Sequence, residues 1–137
     1  MSSQDTLERM FSETLVKEVM TRALVSVDPS TTLSQISKMM EQGGMGSILV
    51  KQNGNPSGII TDRDFAIKVA AKGLSLETPV EKIATFPLLA IPFDNSLLDA
   101  AKLMSEKKIR KLAVVESGKI VGIITSTDLV NKLASRQ

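Results

Sequence analysis

The chain carries one sequence frame twice. A shift of 64 positions lays residues 16–73 on residues 80–137 without a gap. Val16 falls on Val80, Thr21 on Thr85, Leu33 on Leu97, Met40 on Met104 and Val50 on Val114. A denser block follows. Gly54, Gly58, Ile59, Ile60, Thr61 and Asp64 fall on Gly118, Gly122, Ile123, Ile124, Thr125 and Asp128. Such a repeat is one supersecondary unit that cannot bury its apolar face alone. Two copies in 137 residues therefore predict a pseudo-twofold pair with one shared core, and any cleft between copies in two related versions.

Composition narrows the functions. Histidine and cysteine are absent. The commonest general base near neutral pH, the thiolate nucleophile and the commonest transition-metal ligands are therefore missing, and no metal site is expected. Net charge is only +2, with no Trp, no Tyr and four Phe, so neither a basic face nor a stacking platform for nucleic acid is predicted. Charged residues or glycine interrupt each apolar run before the roughly 18 residues of a membrane span. The start, Met1-Ser-Ser-Gln-Asp-Thr, has no signal-peptide pattern. A cytoplasmic protein without membrane or nucleic-acid partners is expected.

The periodicities predict β-α-β-β-α in each copy, an α/β (α+β) fold. Residues 1–15 form an N-terminal helix, 16–73 the first repeat, 74–79 a connector and 80–137 the second repeat. Leu7, Met10, Phe11 and Leu15 share a helical face over 5–15, suited either to packing on the pair or to a dimer contact. Val16–Met20 and Val80–Ala84 read as single helical turns, and Leu24–Val27 and Leu88–Ile91 as short strands. The turn clusters at 28–32 and 92–96 can cap the next helices, which carry Leu33, Ile36, Met39 and Met40, and Leu97, Ala100, Ala101 and Met104. Asn53-Gly54 and Ser117-Gly118 signal hairpins. Each copy closes in a helix, 62–71 and 126–134.

Gly-Ile-Ile-Thr-x-x-Asp, at 58–64 and again at 122–128, lies where a buried strand enters a helix. A helix start exposes backbone N–H groups and the positive end of the dipole, which favour an anion. A Thr hydroxyl and an Asp carboxylate in the first turn suit a ribose diol with phosphate attached. Thr followed three residues later by Asp also resembles a capping box, which needs no ligand.

With these residues the chain resembles a tandem pair of cystathionine-β-synthase (CBS) domains, a Bateman module, over 16–134. The openings at 16–21 and 80–85, the stretch 108–115 and the paired Gly-Ile-Ile-Thr-x-x-Asp carry the likeness. Thr61-Asp62-Arg63-Asp64 is also similar to the regulatory pair of inosine-monophosphate dehydrogenases. The resemblance implies two clefts for adenosine-containing ligands. In one, Asp128 meets the ribose with Thr125 and Thr127 beside it, Ala23, Val25 and Met45 meet the adenine, and Arg110 and Lys111 meet the phosphate. In the other, Asp64 meets the ribose with Thr61 beside it, Pro87, Leu89 and Ile109 meet the base, and Arg63 reaches the phosphate. Gly46 and Ser47 stand where the second copy has Arg110 and Lys111, so the Asp64 cleft lacks those cations.

The resemblance further implies a non-catalytic, stand-alone regulatory module that binds AMP, ADP or ATP, or alternatively S-adenosylmethionine or NAD, and relays ligand state to an effector protein. It implies a homodimeric disc with Phe65, Ile67, Val69, Leu129, Val130 and Leu133 at the interface. A dimerisation or interaction scaffold with empty clefts is the second reading. A carboxylate enzyme ranks last, because Asp62 and Asp64 point from different faces of a helix.

Overall fold

The structure, a computed structural model, describes residues 2–22 and 25–135. Ala23 and Leu24, a candidate base contact and the expected start of the first strand, lie outside the described residues. Two compact units emerge. The central unit is Val25–Leu88; the terminal unit joins Met1–Leu24 to Leu89–Gln137. Their limits do not follow the sequence repeat, because each opening turn packs with the sheet of the other repeat.

In the central unit, β1 (Ser26–Val27) runs parallel to β2 (Ser47–Gln52), which pairs antiparallel with β3 (Asn55–Thr61). α3 (Leu33–Gly43) connects β1 to β2. Thr32 caps it: Gln35 N donates to Thr32 Oγ1 at 3.2 Å and Thr32 N to Gln35 Oε1 at 3.0 Å. The Asn53-Gly54 turn has φ of 53° and 78°, the pair of positive angles that a tight hairpin of matching twist requires. α4 (Asp62–Asp64) continues as a π-wound segment, Phe65–Ala70, and the Ala71 N–H reaches the Ala66 carbonyl at 3.2 Å. A 3-10 turn, Val80–Lys82, belongs to the second repeat in sequence but to this unit in space.

The terminal unit follows the same order. β4 (Ala90–Pro92) is parallel to β5 (Lys111–Glu116), which pairs antiparallel with β6 (Lys119–Thr125). α5 (Leu97–Lys107) starts on Ser96, with Asp99 N donating to Ser96 Oγ at 3.1 Å, and α6 (Ser126–Ala134) closes the unit. Val50↔Gly58 is followed by Lys51↔Pro56, and Val114↔Gly122 by Val115↔Ile120, so both hairpins bulge at the same place. α1 (Ser3–Glu13) packs on α5, with Phe11 against the unit's core. This favours the packing role for the first helix. The helix stops short of Leu15 because the chain turns onto the start of α5: Leu97 N donates to the Thr14 carbonyl at 2.9 Å and Val16 N to the Asn95 carbonyl at 2.8 Å. α2 (Val16–Val19) follows.

The exchanged turns complete two cores where one shared core is expected. Val80 and Ile83 join Leu33, Ile36, Ile48, Val50 and Ile60 in the central unit. Val16 and Met20 join Leu97, Met104, Leu112 and Ile124 in the terminal unit. Each turn also adds one backbone pair to the sheet edge. Ile59 N donates to the Thr85 carbonyl at 3.1 Å and Thr85 N to the Ile59 carbonyl at 2.9 Å; Thr21 and Ile123 exchange the equivalent bonds, both 2.9 Å. The cores also correct the expected interface. Val69 and Leu129 are buried in them and Phe65 packs against the central one, whereas Ile67 and Val130 remain 49% and 61% exposed. No described helix is long and apolar enough to cross a membrane.

Candidate functional site

The two helix starts share one scaffold. In the terminal unit Lys111 lies opposite Thr125 in the β5–β6 ladder, and Ser126 N donates to the Arg110 carbonyl at 2.9 Å. In the central unit Ser47 lies opposite Thr61, and Asp62 N donates to the Gly46 carbonyl at 3.0 Å. The sheet therefore fixes the residues at 110 and 111, or 46 and 47, beside the start of the closing helix. Arg110 is exposed and Lys111 half-buried at one start. At the other, the Asp62 carboxylate lies so near Gly46 that an added Cβ would stand 3.3 Å from Asp62 Oδ2. Arg110 and Lys111 thus flank one start and Gly46 and Ser47 the other, where Asp62 approaches Gly46.

Both Thr–Asp pairs form capping boxes. Thr125 N donates to Asp128 Oδ2 at 2.9 Å, and Asp128 N to Thr125 Oγ1 at 3.1 Å. Thr61 N donates to Asp64 Oδ2 at 2.8 Å, and Asp64 N to Thr61 Oγ1 at 3.2 Å. The cap uses one carboxylate oxygen and leaves the other for a further donor. Here the copies differ. Lys68 Nζ lies 3.2 Å from Asp64 Oδ1, and Thr61 Oγ1 also reaches Asp64 Oδ2 at 3.1 Å. Among the described residues, Asp128 Oδ1 and the Thr125 hydroxyl proton have no such partner, although Lys132 occupies the position equivalent to Lys68. Thr127 and Arg63 are exposed in the first turns. Lys68 escapes a reading by repeats alone, but its spacing of four from Asp64 on a helix is the sequence signal for the pair.

The other candidate residues divide by unit. Val25 and Met45 pack against the central core and Ile109 against the terminal one, so each has a packing role of its own. Pro87, joined to Phe86 by a cis bond, belongs to the central unit. Leu89, in the terminal unit, accepts from Ala113 N through its carbonyl at 2.9 Å. Among the described residues, no group of three or more carboxylates is placed to hold a metal ion.

Comparison with known proteins agrees with this architecture. A family model described as the CBS domain matches residues 16–71 and again 80–135. The CBS domain-containing protein YhcV of Bacillus subtilis is 35% identical over 121 residues, covering 88% of this chain and 86% of that protein. The crystal structure of an uncharacterized conserved protein from Pyrococcus horikoshii superposes with a TM-score of 0.82 at 35% identity, over 92% of this chain and 95% of that one. The CBS domain pair of protein MJ0100, solved in complex with 5-methylthioadenosine and S-adenosyl-L-methionine, superposes with a TM-score of 0.79 at 24% identity, over 90% and 98%. The two sequence repeats are CBS domains, and the chain belongs to the CBS-domain family.

Proposed function

We propose that this chain is a non-catalytic cytoplasmic regulatory module that binds an adenosine-containing ligand, foremost AMP, ADP or ATP, and passes its ligand state to a partner protein. The observation that carries the reading is the start of α6. One oxygen of Asp128 caps the helix, and the other, without a partner among the described residues, can accept from a ribose diol. Lys111 pairs with Thr125 and the Arg110 carbonyl accepts from Ser126 N, so their cations are our proposed partners for a phosphate, where charge-assisted hydrogen bonds are strong. Thr125 and Thr127 supply hydroxyls at the same turn. The adenosine ligands bound by the CBS pair of MJ0100 support the ligand class. The Asp64 start, with Thr61 and Arg63, is the weaker half. Regulation follows by linkage, since a ligand that binds one arrangement of the chain better raises its population.

Calorimetry on protein shown to be free of ligand, against AMP, ADP, ATP, S-adenosylmethionine and NAD, tests the reading. Heat of binding is expected for at least one. A flat trace for all five would sink it and leave an interaction scaffold.

We further propose a homodimer, supported by Ile67 and Val130, which face solvent on the two closing helices. Light scattering is expected to give about twice 14.8 kDa. Replacing both residues by Lys should shift the mass to that of the monomer. A monomer in the unmodified protein at high micromolar concentration would exclude this assembly.

A further inference from the structure

The two Asp residues are equivalent in sequence but not in availability. Asp64 Oδ2 receives the Thr61 amide and the Thr61 hydroxyl, and Asp64 Oδ1 faces Lys68 Nζ at 3.2 Å. Lys68 is held from two other directions. Its ammonium donates to the Ile83 carbonyl at 3.2 Å and lies 3.5 Å from Thr85 Oγ1. Three acceptors thus surround one cation whose side chain is 37% exposed, while that of Asp64 is 15% exposed. The closing helix of the central unit is π-wound from Phe65 to Ala70, whereas α6 is α-helical throughout. At α6 the equivalent Lys132 forms no ion pair with Asp128.

We infer that Lys68 is a built-in occupant of the Asp64 carboxylate, a specificity-determining residue that withholds this acceptor from a diol and leaves Asp128 as the acceptor for ligand. The inference rests on the adenosine-ligand reading above and gives the reason for the Asp64 position to be the weaker of the two. A ribose diol needs carboxylate oxygens that can accept two O–H donors. At Asp64 it must first displace an ammonium anchored by Ile83 and Thr85, and the freed ammonium must find other acceptors. The same displacement does not arise at Asp128. The 83–85 segment forms the sheet-edge pair with Ile59, so Lys68 also ties the acceptor to the turn that completes the core.

The test uses the full chain carrying Asp128→Asn, which weakens the stronger position, with and without Lys68→Met. The probes are adenosine, which has the diol but no phosphate, and 2′-deoxyadenosine, which lacks the diol. Lys68→Met is expected to tighten adenosine about three- to fivefold, the upper end of what a partly exposed ion pair contributes. It should leave 2′-deoxyadenosine within about twofold, since only the diol competes with Lys68 for Asp64. Lys68→Arg, which keeps the cation, should not tighten adenosine. Should Lys68→Met fail to fold, Lys68→Gln carries the same expectation. Unchanged or weaker adenosine binding would overturn the inference, the latter by making Lys68 a ligand contact. Equal tightening of both nucleosides would overturn it too, by pointing to a loosened unit. These outcomes separate from failure of the functional reading, in which the unmodified chain itself binds no adenosine ligand and both proposals fall.

Discussion

Asp128→Asn is expected to weaken binding of the preferred adenine nucleotide by about 10- to 150-fold. The estimate follows from the roughly 1.5–3 kcal/mol that a hydrogen bond to a charged group contributes. Asn is the informative replacement because Asp128 does two things at once. Its Oδ2 accepts from Thr125 N at 2.9 Å and caps α6, a task that an Asn carbonyl oxygen retains in large part. The charge is lost and the cap survives, so affinity falls while the melting temperature moves little. Asp128→Ala loses the return bond to Thr125 N as well as the first-turn charge, and should destabilise by up to about 1 kcal/mol. Asp64→Asn should change the affinity of the tight position by less than about threefold. Arg110→Ala should weaken AMP more than adenosine, with an effect that shrinks as salt rises, because screening already weakens an exposed ion pair. Isothermal titration at two ionic strengths measures all of these. Loss of tight AMP binding in Asp64→Asn but not in Asp128→Asn would reverse the assignment, with Arg63 rather than Arg110 meeting the phosphate.

How far the sequence reveals this arrangement depends on the range over which each signal acts. Hairpin turns are local. Asn53-Gly54 and Ser117-Gly118 announce positive φ at two neighbouring pairs of positions, and all four residues adopt it. Helix starts are local too: Thr32, Ser96, Thr61 and Thr125 each cap the helix their spacing suggests. The two readings of Thr-x-x-Asp, cap and ligand acceptor, are compatible because a carboxylate has two oxygens. What a repeat cannot disclose is which sheet an opening turn joins. Val80 is as apolar in either place, and only tertiary packing decides that it completes the core built by Leu33 and Ile60. The closing helices pose a similar limit. They align without a gap, yet Phe65–Ala70 is π-wound and its counterpart is not. Lys68 poses the same limit. Lys132 has the same sequence offset, so sequence alone makes the two copies equal where the structure makes them different.

Gly58→Ala is expected to destabilise the protein by about 2 kcal/mol, the middle of the range for forcing an extra group into a packed interior. The first glycine of Gly-Ile-Ile-Thr opens the repeated motif. In the fold it lies on the strand that receives the exchanged turn. A Cβ at Gly58 would stand 2.5 Å from Phe86 Cε1 and 2.8 Å from the Thr85 carbonyl oxygen. The ring can rotate aside, but the carbonyl is held by Ile59 N at 3.1 Å and cannot retreat without breaking the sheet-edge pair. At Gly122 the nearest atom would be Met20 Sδ at 2.7 Å, with the Thr21 carbonyl oxygen at 2.9 Å. Met20 can adapt, but the Thr21 carbonyl is held by Ile123 N at 2.9 Å in the same way, so Gly122→Ala should cost a similar amount, about 2 kcal/mol. Thermal melts should register each as a fall of roughly 6–8 °C. Phe86→Ala added to Gly58→Ala should recover only part of the Gly58 effect, because the clash with the Thr85 carbonyl remains. If Gly58→Ala melted with the unmodified protein while weakening nucleotide binding, the glycine would belong to the ligand loop and not to the seam between β3 and the exchanged turn.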